Sequence, residues 1–357
     1  MTTATQPITL APLGVDPTLL DQVAATASAV DKGEVDARYI LPLLGDAGLL
    51  DADLLTTARL IRELSRNDLS VGFTTWAHRM TLEYLRAADA EDAQTLAKQL
   101  EAGERPGVTG MAAAFKEFAG CGDIELTATR VDGGYRVNGK LNWASNLYDD
   151  AVFVTAAHTD DGERILFVAE GNADGVTFGT PFGLLGLNAT ASAWVTLDDL
   201  FVPESAVLTH DFENFILGVR PTFVVLQIAE CLGVGEAAVA AASSRLTGVN
   251  VTFADDVAAV ATDLDDIAAR QENIITRVGS GQSVTPVELL ELRLDAASAA
   301  VAASSIEVRV AGGAGYAKSS PASRRFREAA FIPVQSPSES QLRWELAKAR
   351  GEEVGRS

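Results

Sequence analysis

The chain has 357 residues and a formal net charge of −21, from 49 acidic and 28 basic side chains. A surface this acidic repels phosphate backbones, which argues against a nucleic-acid partner. Hydrophobic residues make up 47% of the chain and charged residues 22%, so the chain can bury a large core and is neither disordered nor fibrous. At roughly 100–200 residues per domain, this length predicts two or three domains.

Cysteine is rare in this sequence. Cys121 and Cys231 are too few for a disulfide framework and are not spaced as a metal site, so we expect a cytoplasmic protein without a metal. No cationic region precedes an apolar segment near the amino terminus, as a secretory signal would require. The longest apolar stretch, 223–242, contains one glutamine and two glutamates. We therefore interpret it as a buried helix and expect no membrane span.

The pattern of apolar and polar residues changes twice along the chain. Apolar residues recur at helical spacing between 18 and 100, which predicts a helical domain over 1–107. Short alternating runs follow, separated by hairpin-type turns such as Asp132-Gly133-Gly134 and Asn138-Gly139, and they predict an antiparallel β-barrel over 108–210. The predicted strands are 124–131, 135–137, 151–158, 165–169 and 193–197.

Helical periodicity returns after residue 211. Apolar residues from Val257 to Val278 follow a three-four spacing, which predicts one helix of a bundle. Thr285-Pro286-Val287-Glu288 has the pattern of a capping box with proline at the first helical position, so another helix should run toward Gly312 and Gly313. The sequence thus predicts an α+β protein whose last domain, 211–357, is a four-helix bundle.

Three segments, spread in order over most of the chain, carry recognisable motifs. They are 134–140 followed by Trp143-Ala144-Ser145-Asn146, then 185–190 through 201–204, and finally 311–316 followed by 325–329. Together they resemble the acyl-CoA dehydrogenase superfamily, whose motifs include "GGYxxNGxKxWIxN" and "GGxGY…RxxRDA". The resemblance implies the same order of helical domain, β-barrel and four-helix bundle, and it implies a homo-oligomer through the bundle helices.

The resemblance also implies a flavin cofactor, either FAD or FMN. In the family, the tryptophan of the first motif covers one face of the isoalloxazine ring and the following serine or threonine reaches N5 or the flavin carbonyl. These roles fall on Trp143 and Ser145. The further cofactor-binding candidates are Thr109 and Gly110, from a partly kept flavin loop, and Gly312 and Gly313, from the last motif.

The family's dehydrogenases use a carboxylate to remove the substrate α proton, and here the matching position is Gln335. A neutral amide cannot be that base, and positioned base catalysis contributes on the order of 10²–10⁴-fold. Glu339 is the nearest alternative carboxylate. The stretch 218–223, where some relatives place their base instead, has no acidic residue.

One branch of the fold, the two-component monooxygenases, receives reduced flavin from a reductase and needs no such base. Those enzymes carry a histidine on an amino-terminal helix facing the flavin, and His78 occupies a comparable place; a helix histidine bonded within a domain interface would explain it equally well. We therefore expect a flavin-dependent oxidoreductase that leans toward the monooxygenase branch, with His78 and Gln335 near the reacting atoms. An acyl-CoA dehydrogenase with a relocated base and a non-catalytic acyl- or partner-binding paralogue are the alternatives. The expected partners are a small-molecule or acyl-CoA substrate and a flavin reductase or electron-transfer protein.

Overall fold

The computed structural model describes residues 7–88 and 90–352 of the chain. Helices come first, strands dominate the middle, and helices return at the end. The elements are α1 (Pro17–Asp31), α2 (Ile40–Asp46), α3 (Leu54–Asn67), α4 (Leu69–Arg86), α5 (Glu91–Glu101), β1 (Gly107–Thr109), α6 (Ala112–Ala119), β2 (Thr127–Val131), β3 (Gly134–Ala144), β4 (Val152–Thr159), β5 (Arg164–Glu170), β6 (Val176–Phe178), β7 (Ala193–Pro203), β8 (Val207–Thr209), α7 (Phe212–Ser243), α8 (Ala254–Gly279), α9 (Pro286–Tyr316), α10 (Pro321–Ala329) and α11 (Glu339–Ala349).

The strands form one mixed sheet in the order β6-β7-β3-β2-β4-β5-β8, with β1 added beside β4. The β1–β4 and β2–β4 pairs are parallel, whereas the other pairs are antiparallel. The α+β class is therefore confirmed, but the sheet does not close into a barrel among the described residues and it is not wholly antiparallel. Turn chemistry indicated the β2–β3 and β4–β5 hairpins, but it carries no information on which edges of two hairpins meet.

The Asn138-Gly139 pair does not form the predicted turn, because β3 runs straight through it. Gly139 has a φ of +130° and sits at a register shift between β3 and β7. A Cβ at Gly139 would lie 2.9 Å from the Glu125 carbonyl oxygen. The Asn138 side chain accepts a hydrogen bond from the Asp199 N–H at 2.8 Å. The pair therefore makes a bulge, which is the other common use of such a dipeptide.

Helix α6 lies inside the region predicted to be all strand. Its sequence, AAAFKEFA, is rich in strong helix formers, and Gly120 ends it with a φ of +72°. Phe115 is buried, and Lys116 projects from the outer side of the helix. The alternating pattern around this segment concealed an eight-residue helix, too short to give a clear period of its own.

Helix α7 is the centre of the carboxy-terminal helices and packs against α3, α8 and α9. It is long and apolar enough to cross a membrane, but 89% of its most apolar window is buried inside the fold, as expected for a core helix. The predicted period of α8 is confirmed, since its buried positions include Val257, Val260, Leu264 and Ile267.

The predicted capping box is present at the start of α9. The Glu288 N–H donates to Thr285 Oγ1 at 3.2 Å, and the Thr285 N–H donates to Glu288 Oε2 at 3.0 Å. Both partners are solvent-facing, so the box acts locally on the helix terminus. The non-helical φ of +62° at Gly312 then kinks the far end of α9, near the predicted stop.

Thr285→Ala should lower the free energy of unfolding by about 1 kcal/mol, because it removes the side-chain acceptor for an otherwise unpaired helix N–H. Urea unfolding followed by circular dichroism measures this change. Thr276→Ala is the matched control, since that exposed hydroxyl only bonds back to the Glu272 carbonyl within α8. An equal loss of stability in both variants would contradict a capping role.

Candidate functional site

A cavity of about 290 Å³ opens where α4, α6, the end of β3, α7 and the segment 331–336 meet. Its lining combines apolar walls with a few polar groups, among them Thr109, Ser145 and Gln335. Among the described residues that line it there is no carboxylate, and Lys116 is the one charged side chain. An apolar cleft with a few convergent polar groups is the usual form of a small-molecule site.

Aromatic rings form much of the cavity wall. Phe73 stacks on Trp76 with ring centroids 5.5 Å apart and meets Phe331 edge-on at 5.0 Å. Trp76 in turn meets Phe223 edge-on at 5.0 Å. These rings hold one another in place, so the cavity presents rigid flat walls that suit a flat apolar ligand. The sequence did not reveal these four rings as a group, because spacing along one helix cannot show that separate helices turn their rings toward one space.

The end of β3 delivers two of the predicted residues to this cavity. Trp143 packs against Phe182 with centroids 4.6 Å apart, yet 46% of its surface remains exposed, so its indole face is available to a ligand. Ser145, two residues later, is buried at the cavity wall. Thr109 lines the cavity from the end of β1, and its hydroxyl lies 3.1 Å from the Tyr84 hydroxyl.

The backbone around Ser145 is strained. Asn146, Leu187 and Ala191 have φ values of +61°, +60° and +44°, a left-handed conformation that is costly for residues other than glycine. The Asn146 N–H donates to the Thr190 carbonyl at 2.8 Å. The Asn146 side chain donates to the carbonyls of Thr74 and Gly107, both at 3.1 Å. These bonds fix the Ser145 loop to the loop before β7.

Gln335 is buried in the cavity wall and lies between a carboxyl group and a guanidinium group. Its Nε2 donates to Glu230 Oε2 at 2.7 Å, and its Oε1 accepts from Arg293 Nη2 at 3.3 Å. The opposite orientation of the amide would turn its NH₂ toward the guanidinium donors, so the network fixes which way the amide points. Gln335 is therefore held firmly as a neutral hydrogen-bonding group.

Glu230 and Arg293 are both fully enclosed. Burial raises the pKa of Glu230 to about 8, even though the hydrogen bond from Gln335 and the nearby Arg293 charge favour the ionised form. Its second oxygen, Oε1, has no hydrogen-bond partner among the described groups. Glu230 lies behind Gln335 rather than in the lining of the cavity. The signal in the sequence was an acidic residue inside the longest apolar stretch, but it did not say what that residue would face.

His78 does not join the cavity-lining residues. Its Nε2 donates to the Leu100 carbonyl at 2.9 Å, and its Nδ1 accepts from the Gly107 N–H at 3.0 Å. Complete burial lowers the pKa of its imidazole to about 4. Both ring nitrogens are thus committed to backbone groups, and the geometry favours a structural role that joins α4 to β1.

The three predicted glycines also lie outside the cavity lining. The Gly110 N–H donates to the Val154 carbonyl at 2.8 Å, so it is used within the sheet. A Cβ at Gly110 would lie 2.9 Å from that same oxygen, which explains the glycine by packing. Gly312 and Gly313 lie on the kinked end of α9 with open space around them.

Glu339, the alternative carboxylate, does not approach the cavity either. It begins α11, is 41% exposed, and forms an ion pair with Arg343 at 2.7 Å. The stretch 218–223 on α7 has no acidic residue, and the side chain it contributes to the cavity wall is the apolar Phe223. The buried carboxyl group of Glu230 does not line the cavity itself, but it is hydrogen-bonded to Gln335, which does.

Comparison with known proteins gives this fold a context. No protein-family model matches the sequence. The curated relatives that match are named as dehydrogenases of CoA esters. The benzylmalonyl-CoA dehydrogenase of Aromatoleum aromaticum is 28% identical over 238 residues, which cover 63% of this chain and 63% of the relative. That match spans less than two thirds of the relative's length.

Solved structures agree over nearly the whole chain. Butyryl-CoA dehydrogenase from Megasphaera elsdenii superposes with a TM-score of 0.82 and 18% identity, covering 97% of this chain and 100% of that one. The chain therefore has the fold of the acyl-CoA dehydrogenase superfamily. KijD3, solved with FMN and a dTDP-linked amino sugar, shares the fold of this superfamily with a TM-score of 0.79, 20% identity, and coverage of 96% and 93%.

Glu230→Gln should remove part of the pH dependence of stability. Because the pKa of Glu230 is higher in the folded protein, the folded state binds more protons, and the wild type loses this contribution as pH rises toward and through about 8. The difference in unfolding free energy between pH 5.5 and pH 8.5 should therefore be smaller in the variant. Urea unfolding at both values measures it, with the exposed Glu339→Gln as the control. An unchanged difference in Glu230→Gln would contradict the raised pKa.

Proposed function

We propose that the chain is a flavin-dependent oxidoreductase. The observation that carries the proposal is the convergence of Trp143, Ser145, Thr109 and Gln335 on one aromatic-walled cavity. All four were singled out from the sequence through the resemblance. The fold shared with acyl-CoA dehydrogenases and the FMN complex of KijD3 support a flavin, and either FMN or FAD satisfies the argument.

The residues at the cavity fit a flavin. The exposed indole of Trp143 offers a flat face for an isoalloxazine ring, and Ser145 offers a buried hydroxyl at its edge. Lys116, at the rim, offers a positive charge to an anionic group such as a flavin phosphate. A bound flavin would supply two-electron transfer and, in its reduced state, reaction with oxygen.

Within that class we favour the oxygen-using branch, because the described residues that line the cavity include no proton-abstracting carboxylate. Gln335, at the expected base position, is held as an amide by Arg293 and Glu230. The chain's own residues would then bind a flat, apolar substrate between the rings of α4 and α7. The same residues would exclude water from the cavity and present the Gln335 amide to the substrate as a neutral hydrogen-bonding group.

An acyl-CoA dehydrogenase is the second candidate, and one observation favours it. The buried Glu230 carboxylate lies one hydrogen bond behind Gln335, and its Oε1 has no partner. A carboxylate with a pKa raised to about 8 has the basicity that proton abstraction needs. In the structure, however, the Gln335 side chain separates it from the cavity.

Anaerobic titration separates these candidates. Purified protein is first equilibrated with FMN or FAD, in the oxidised and in the dithionite-reduced state, and binding is followed by flavin absorbance and fluorescence. A panel of acyl-CoA esters is then added without oxygen. Bleaching of the flavin by an ester would support the dehydrogenase and contradict the oxygen-using branch. Absence of binding by both flavins, in either redox state, would contradict the proposal as a whole.

Gln335→Glu should not create dehydrogenase activity. The new carboxylate would lie about where the amide now bonds to Glu230, 2.7 Å away, so the two buried carboxyl groups would share one proton. That shared hydrogen bond would leave the new carboxylate a weak acceptor for a substrate proton. Enoyl-CoA formation with an external electron acceptor measures the outcome. Production of enoyl-CoA by this single variant would contradict the prediction.

The double variant Glu230→Gln/Gln335→Glu is the matched control. It exchanges the amide and the carboxyl group, so the number of ionisable groups and the hydrogen bond between the two positions are both kept. Arg293 then faces a carboxylate at position 335, which favours its ionised form. We expect the double variant to be more stable to urea than Gln335→Glu by about 1–3 kcal/mol, since it removes the carboxylate pair. Equal stability of the two variants would contradict this account of the network.

A further inference from the structure

Ser145 is the first of three hydroxyl groups in a line that leads away from the cavity. Its Oγ lies 2.7 Å from Ser192 Oγ, which lies 2.8 Å from Thr190 Oγ1. Thr190 Oγ1 donates to the Leu187 carbonyl at 2.8 Å. All three side chains are more than nine-tenths buried, and of the three only Ser145 lines the cavity.

Counting protons sets the direction of these bonds. Each hydroxyl has one hydrogen to donate, and that of Thr190 goes to the Leu187 carbonyl. Thr190 must then accept from Ser192, and Ser192 must accept from Ser145. The hydrogen of Ser145 is thereby committed to the protein. What Ser145 offers to the cavity is a lone pair, so toward a ligand it acts as an acceptor.

The reverse direction is less favourable. If Thr190 donated to Ser192 and Ser192 to Ser145, the Thr190 oxygen would face the Leu187 carbonyl oxygen at 2.8 Å without a hydrogen between them. The Ser145 hydrogen would also need an acceptor supplied by the ligand. A buried polar group without its partner is costly, so the forward direction prevails unless a ligand compensates.

The strained backbone keeps this line in place. The left-handed residues Asn146, Leu187 and Ala191 flank its members, and Asn146 and Leu147 donate to the carbonyls of Thr190 and Ala191 at 2.8 and 3.2 Å. Strain of this kind persists only where the surroundings over-determine the conformation, and it concentrates at functional sites.

We propose that the Ser145–Ser192–Thr190 line makes the cavity select reduced over oxidised flavin. The resemblance implies that Ser145 reaches N5 of the flavin. Reduced flavin carries a proton on N5, which can donate to Ser145, whereas N5 of oxidised flavin is itself an acceptor and would meet a lone pair. The proposal rests on the proposed flavin function and adds to it the redox state that the site binds. Reduced flavin then has to come from a reaction that reduces free flavin, such as that of a flavin reductase.

Thr190→Val tests the line without touching the cavity wall. Valine has the shape of threonine but no hydroxyl, so Ser192 loses its acceptor and turns its hydrogen toward Ser145, which then donates into the cavity. Dissociation constants for oxidised FMN and for dithionite-reduced FMN are measured anaerobically. The wild type should bind reduced FMN more tightly. In Thr190→Val, the dissociation constant of oxidised FMN divided by that of reduced FMN should fall roughly five- to tenfold. That change corresponds to the free energy of one hydrogen bond.

Two variants control for folding and packing. Thr190→Ser keeps the hydroxyl and should keep the wild-type ratio. Thr155→Val removes another buried hydroxyl, which donates to the Gly110 carbonyl at 2.9 Å outside the line, and should also leave the ratio unchanged. The midpoint potential of bound flavin gives a second readout, and it should fall by about 20–30 mV in Thr190→Val alone.

The outcomes distinguish this proposal from the function on which it rests. Two results would overturn the role of the hydroxyl line while leaving a flavin site. One is a ratio of dissociation constants that is the same in Thr190→Val and in the wild type; the other is tighter binding of oxidised than of reduced FMN by the wild type. Failure of the wild type to bind either form of FMN or FAD would overturn the flavin function and this proposal together. A lower ratio in Thr190→Val, restored in Thr190→Ser, supports the line.

Discussion

The constraint on which the site depends is the burial of the Arg293 guanidinium in the middle of the helical core. A charge without access to water has to be surrounded by acceptors. Arg293 finds them in Gln227 Oε1 at 3.3 Å, the Ile332 carbonyl at 3.2 Å and Gln335 Oε1 at 3.3 Å. Gln227 also donates to the Ser336 carbonyl at 2.9 Å. The hydrogen bonds that satisfy the Arg293 guanidinium therefore fix the segment 331–336 against α7 and α9.

That arrangement explains how a neutral amide is accommodated at position 335. The residue is part of a series in which a guanidinium donates to an amide and the amide donates to a carboxylate. Each member satisfies its neighbour, so changing one leaves a buried group without a partner. The surroundings of position 335 are adapted to an amide, and this favours chemistry that does not remove a proton at that point.

Much of the candidate site could be predicted from the sequence, because short motifs carry local information. Trp143, Ser145, Thr109 and Gln335 were all named in advance, and all four line one cavity. His78 and the three glycines were named by the same reasoning and lie elsewhere. Their motifs gave a position along the chain, but not the direction in which a ring or a backbone N–H points. That direction depends on neighbours such as Leu100 and Val154, which are distant in the sequence.

The sequence by itself determined the order of helices and strands, the capping box at Thr285, the burial of α7 and the likeness to one superfamily. These properties follow from periodicity, turn chemistry and short motifs, which act over a few residues. Only the tertiary structure decided that the sheet stays open and partly parallel and that aromatic rings from separate helices enclose one cavity. It also decided that Glu230 faces Gln335 and that Ser192 and Thr190 continue from Ser145. Each of these features brings together residues that are far apart in the chain. A local sequence pattern does not indicate which distant surfaces will be in contact.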